Sequence, residues 1–159
     1  MHKALRAGFV FGLTSGVTTT LGLMVGMHSG THSKLAVIGA ILTIAIADSF
    51  SDSLGIHLSE ESENLKEKYI WEATFSTFIS KLLFPLTFVI PVMMFDLGTA
   101  MIISIIWGLS CISYFSYRIA VHRRKKPLKI ILEHLLIAAI VIVLAHFTGD
   151  LIAKYLTWQ

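Results

Sequence analysis

Long apolar runs broken by short polar joints dominate the chain, and the runs lack the amphipathic spacing of a water-soluble bundle. Five runs stand out, at about 7–27, 34–57, 73–95, 98–119 and 129–156. Each has about the 20 residues a helix needs to cross the hydrocarbon core. The pattern predicts an all-α integral membrane protein, multi-pass, with five transmembrane helices in a single domain over 1–159. The joints are "HSGTHS", "SEESENLKEKYIW", "FDLGT" and "HRRKKP". The second is predicted to prolong helix two into a cytoplasmic helical extension over 58–71. Pro127 is expected to open the last helix, where a missing N–H does no harm.

Composition agrees with this pattern. The chain is 55% hydrophobic and 14% charged, more apolar than a typical soluble domain. The net charge is only +3, and no basic stripe is interleaved with aromatics, so nucleic acid is not an expected partner. The lone Cys111 allows no intrachain disulfide. No cleavable signal peptide is expected, because the first run lacks an A-x-A-like site. Cations near the span ends decide orientation. Ten of them (Lys3, Arg6, Lys66, Lys68, Arg118, Arg123, Arg124, Lys125, Lys126 and Lys129) lie on one side, against Lys34 and Lys154 on the other. The N-terminus is therefore expected in the cytoplasm and the C-terminus outside. An odd number of spans cannot form two equal inverted halves, so a pathway through this bundle is expected to need a second copy, a homodimer.

The first run, "AGFVFGLTSGVTTTLGLMVGM", places Gly12, Gly16, Gly22 and Gly26 with Ser15 and Thr19 on one broad helix face. Small residues permit close helix approach in lipid, either within the protomer or at a subunit interface. Thr14, Thr18 and Thr20 are placed to bond back to their own helix or to line a polar path. Met24 and Met27, near the outer end, are soft donors or packing residues.

The second run carries the acids. Asp48, Asp52, Gly55, Ser59 and Glu63 fall on one stripe about 22 Å long, from mid-membrane to the cytoplasmic surface. His57 points away from it. Two carboxylates four residues apart repel when charged and are costly in lipid. Protonation of one, a cation between them, or pairing with Lys81 of the third run would relieve this. Oxygen-only ligation suits hard cations such as Mg²⁺, Ca²⁺ or Mn²⁺. Glu60, Glu63 and Glu67, at i, i+3 and i+7, form either a cation-collecting mouth or a solvated helix end. Candidate metal ligands are thus Asp48, Asp52, Glu60, Glu63, Glu67 and Met24. Lys81 is the candidate counter-charge or proton-coupling group with both aspartates. Ser76 and Ser80 are candidates to face these acids, and His146 and Asp150 form a further pair four apart.

"GLTSGVTTTLGLMVGM" and "LGIHLSEESE" resemble the vacuolar iron transporter family, whose first span opens on a "DGLT"-type motif and whose second ends in a "S-M-G-L-G-G-Y-L-A-x-x-S-E"-like one. The likeness is strongest over residues 11–63 and fits a short prokaryotic-type member without the family's cytoplasmic metal-binding helical domain. Gly55, Ser62 and Glu63 match directly. Phe11 stands where the family has an acid, Asp52 where it has methionine and Ile44 where it has glutamate. The resemblance implies a homodimer in a prokaryotic cell membrane that exports Fe²⁺ or Mn²⁺ from the cytoplasm in exchange for protons, along a path between subunits. The metal is cargo, and no cofactor is implied. The expected function is therefore a secondary transporter of divalent metal. The alternative is a non-transporting assembly or sensor protein with the same fold. An enzyme is not expected, since the chain has no Gly-rich phosphate cradle, no His-Glu-x-x-His and no nucleophile elbow.

Overall fold

With no water to satisfy it, lipid-embedded backbone must bond to itself, and the apolar runs do so as helices. The computed structural model describes residues 3–156. Its helices are α1 (Lys3–Thr31), α2 (Lys34–Ser62), α3 (Glu67–Leu86), α4 (Val89–Met94), α5 (Leu97–His122) and α6 (Pro127–Leu156). No strand occurs among the described residues. Five helical segments, with α3 and α4 together forming one, are long and apolar enough to cross a membrane.

The predicted spans all appear, with two differences in detail. The third is broken at Thr87 and Phe88. Pro91 has no N–H for the Thr87 carbonyl four residues back, and its ring crowds that carbonyl. The chain turns there on Thr87 N–H to Phe84 O (3.1 Å) and Phe88 N–H to Pro85 O (3.0 Å). The second difference corrects the predicted 58–71 extension. Helix α2 stops at Ser62, Asn64 takes a left-handed φ of 53°, and a new helix starts at Glu67. Asparagine tolerates that conformation better than most residues.

Helix α1 is the axis of the bundle, in contact with α2, α3, α5 and α6. Its glycines account for this. A Cβ at Gly12 would lie 2.6 Å from Thr77 O of α3, and one at Gly149 of α6 would lie 2.9 Å from Gly30 N of α1. Gly12 and Gly16 thus face α3, while Gly22 and Gly26 face Val141 and Ala145 of α6. The broad face they share on α1 meets two different helices at two levels. All four pack against other helices of the same protomer. An apolar core of Leu13, Val17, Leu21, Val37, Ile41 and Phe88 fills the space between helices. The outer faces are apolar too: Leu42, Ile46, Phe50 and Leu54 on α2, and Leu136, Ile140, Leu144 and Phe147 on α6, are exposed.

Candidate functional site

One buried ion cluster ties α1, α2 and α3 together. Lys81 of α3 is only 1% exposed, although it is the longest side chain in the interior. The Cβ that Gly16 lacks would sit 3.3 Å from Lys81 Cγ, so this glycine makes room for the lysine stem. The ammonium lies 2.8 Å from Asp48 Oδ2 and also pairs with Asp52 Oδ2. Its third donor goes to Ser15 Oγ at 2.9 Å. An ammonium has three N–H groups, and each meets an acceptor.

The hydroxyls of α1 complete the cluster. Ser15 donates to Asp52 Oδ2 at 3.1 Å, and Thr19 donates to Asp48 Oδ2 at 3.0 Å. Thr19 shares its proton with the Ser15 carbonyl, also 3.0 Å away. The buried line of α2 is Val37, Ile41, Ala45, Ser49 and Ser53. Asp48 and Asp52 sit at the margin of that line, 20% and 24% exposed. The carboxylates are therefore held from the protein side and open on the other. One ammonium against two carboxylates leaves a formal charge of −1 when all three are ionised. An open edge of oxygen ligands with an excess negative charge attracts a cation, and the ammonium competes for the same atoms.

Other candidate residues lie elsewhere. Gly55, Ser59 and Glu63 continue the aspartate stripe but are exposed. A Cβ on Gly55 would meet nothing within 4 Å. Glu60, Glu63 and Glu67 do not form one helical face, because the turn at Asn64 puts Glu67 on a separate helix. Met24 is fully buried within the apolar core. Ser76 and Ser80 face α1, not the acids: Ser76 donates to Leu5 O at 2.7 Å, and Ser80, which bonds back to Ser76 O at 2.8 Å, lies against Gly12. His57 packs on α3, 3.1 Å from Thr74 Oγ1 and edge-on to Trp71. His146 and Asp150 are 3.5 Å apart on the exposed face of α6, and Ser29 bonds to Asp150. Among the described residues, no group of three His, Cys, Asp or Glu is close enough to hold a metal ion.

The part of the site that sequence reasoning missed is the pair of α1 hydroxyls. Ser15 and Thr19 are four apart, matching the spacing of Asp48 and Asp52, which is the register two facing helices would use. In comparisons with known proteins, no family model matches the chain and no curated protein matches its sequence.

Proposed function

We propose that the protein is a secondary transporter that exports a divalent metal from the cytoplasm in exchange for protons, with Asp48, Asp52 and Lys81 as its exchange centre. The observation that carries this reading is a fully buried lysine shared by two carboxylates that remain open on one edge. In the empty state the ammonium bridges both acids and neutralises one of their two charges. An arriving M²⁺ brings two charges to the same oxygens and displaces the ammonium, whose proton is then free to leave. Protons reaching the carboxylates from the other side release the ion and let Lys81 return. Two carboxylates with the Ser15 and Thr19 hydroxyls supply hard oxygen donors, which favour Mn²⁺ over Fe²⁺. The resemblance of residues 11–63 to the vacuolar iron transporter family supports the same class of cargo.

The donor set also supports a homodimer. With each carboxylate and hydroxyl giving one oxygen, four donors are too few for a cation that takes six, and mid-span carboxylates open to lipid are costly. A second protomer against the margin of α2 would cover the acids and complete the shell with its own groups or trapped water. The cations at the ends of α1, α5 and α6 favour a cytoplasmic N-terminus.

The test is Mn²⁺ flux into proteoliposomes, with and without an imposed pH gradient. Wild type should carry Mn²⁺ and respond to the gradient, while Asp48→Asn and Asp52→Asn should not. Absent wild-type flux, or unchanged flux in both variants, overturns the reading. A second reading is a non-transporting assembly or sensor protein, favoured by the complete pairing of the Lys81 ammonium within one chain. In that case Asp48→Asn with Lys81→Met keeps the fold and any biological role.

A further inference from the structure

A second feature lies on the other side of Ser15 and Thr19. A groove of about 1140 Å³ opens between α1, α5 and the start of α6. Its mouth carries Lys3 and Arg6 from the first two turns of α1, and Arg118 and Arg123 from the end of α5. No acidic residue is among its lining residues. None of these four cations pairs with a carboxylate among the described residues. Arg118 meets only a neutral neighbour, donating to Tyr114 Oη at 3.3 Å and lying 5.9 Å from that ring's centroid. Below the cations the α5 and α6 walls turn apolar, with Phe115 and Ile137 facing Phe11, while α1 adds Thr14, Ser15, Thr18 and Thr19, of which Thr14 and Thr18 turn their hydroxyls back to their own helix. The groove is thus cationic at the membrane surface and mainly apolar at depth, with a strip of α1 hydroxyls along one wall.

We propose that this groove holds an anionic phospholipid, with the phosphate among Lys3, Arg6, Arg118 and Arg123 and an acyl chain along Phe11, Phe115 and Ile137. Charge complementarity selects the occupant. Four uncompensated cations with no acid attract a phosphate, and arginine forks match its oxygens in pairs. Basic pockets between transmembrane helices take anionic headgroups for this reason. The apolar wall selects a lipid over free phosphate, which would leave that wall unfilled. The same cations repel M²⁺, so the groove is not a route for metal, and the lipid proposal stands or falls separately from the transport reading.

Native mass spectrometry of the detergent-purified full chain, incubated with phosphatidylglycerol or phosphatidylcholine vesicles, tests this. Wild type should retain phosphatidylglycerol and not phosphatidylcholine. Arg6→Gln with Arg118→Gln should weaken retention on the order of tenfold or more. Lys66→Gln with Lys68→Gln removes as much charge outside the groove and should leave retention unchanged. Ile137→Trp, at an exposed position on the apolar wall, should exclude the lipid with every charge intact, so the proposal stays testable if the arginine variant fails to fold. Equal retention of both lipids would overturn the proposal, as would equal loss in the Lys66 and Lys68 variant. Displacement of the lipid by millimolar inorganic phosphate would show a headgroup-only anion site and refute the acyl-chain assignment. A lipid-free homodimer with Phe11 at its interface would give the groove to a second copy instead.

Discussion

Lys81 Nζ lies 2.8 Å from Asp48 Oδ2 while also engaging Asp52, so one buried ammonium bridges two acids from neighbouring turns of α2. The arrangement is asymmetric in its consequences. Asp48→Asn removes the excess charge and leaves Lys81 paired with Asp52. Asp48→Asn with Asp52→Asn strands an ammonium that is 1% exposed. Leaving a buried charge unpaired costs about 3–5 kcal/mol. The double variant should therefore melt well below either single one in detergent, and adding Lys81→Met should recover much of the loss. Equal melting of the single and double variants would contradict the pairing.

Helix packing provides a second, independent check. Gly12 sits where a Cβ would be 2.6 Å from the Thr77 carbonyl, a backbone atom that cannot swing away. Gly12→Ala should destabilise by about 1–3 kcal/mol through overpacking. Gly39 of α2 has nothing within 4 Å of the same built atom. Gly39→Ala should be neutral or stabilise by up to about 1 kcal/mol through helix propensity. Thermal melts of the two variants should move in opposite directions or differ clearly in size.

The spans were legible because lipid demands unbroken apolar length, which a linear pattern carries. Asp48 and Asp52 stood out for the same reason, as charges inside such a run, and Lys81 as the lone cation inside another. The directions of the glycines were not legible. Gly12 and Gly22 are separated by almost three helical turns, and whichever helix crosses at each level decides what they face. The break after Ser62 was hidden because "SEESENLKEK" contains good helix formers, and the single Asn64 carries the turn. The groove could not be read at all, since Arg6 and Arg118 meet only in the folded chain.

Asp96 yields a pH dependence. It caps α5, accepting the Thr99 backbone N–H at 2.9 Å. That bond, then the Thr99 hydroxyl and more weakly the charge of Lys34, holds its carboxyl below the usual range. A depressed folded value means stabilisation that is complete above the unfolded pKa of about 3.9 and fades as pH falls through the lower folded value. Asp96→Ala should lower the melting temperature at neutral pH, with the two curves converging in acid below about pH 4. A constant gap down to strong acid would mean that the charge of Asp96 plays no part in the cap.

The proposed orientation makes its own prediction. Single cysteines at Ser62 and Lys125 should react with a membrane-impermeant thiol reagent only from the cytoplasmic face. Cysteines at His32 and Asp96 should react only from outside. All four native residues are exposed at helix ends, and the native Cys111 is buried, so background labelling should be low. Labelling of Lys125→Cys in intact cells would invert the topology and the direction of export with it.

The hydroxyls of α1 separate a metal-handling cluster from a merely structural one. Ser15 accepts from Lys81 at 2.9 Å and donates to Asp52, whereas Thr19 donates to Asp48 and shares its proton with the helix. Thr18 lies one residue away, but its hydroxyl bonds to Thr14 O at 2.8 Å. If Ser15 Oγ contributes to the cation shell, Ser15→Ala should raise the Mn²⁺ concentration for half-maximal flux by about tenfold, the worth of one hydrogen bond or ligand contact near a charge. Thr19→Val should have a smaller effect and Thr18→Val none. Maximal flux should change less than half-saturation, because both carboxylates and Lys81 remain. A structural role predicts a different signature: Ser15→Ala would lower the melting temperature, and the half-saturating concentration of the surviving protein would equal that of wild type.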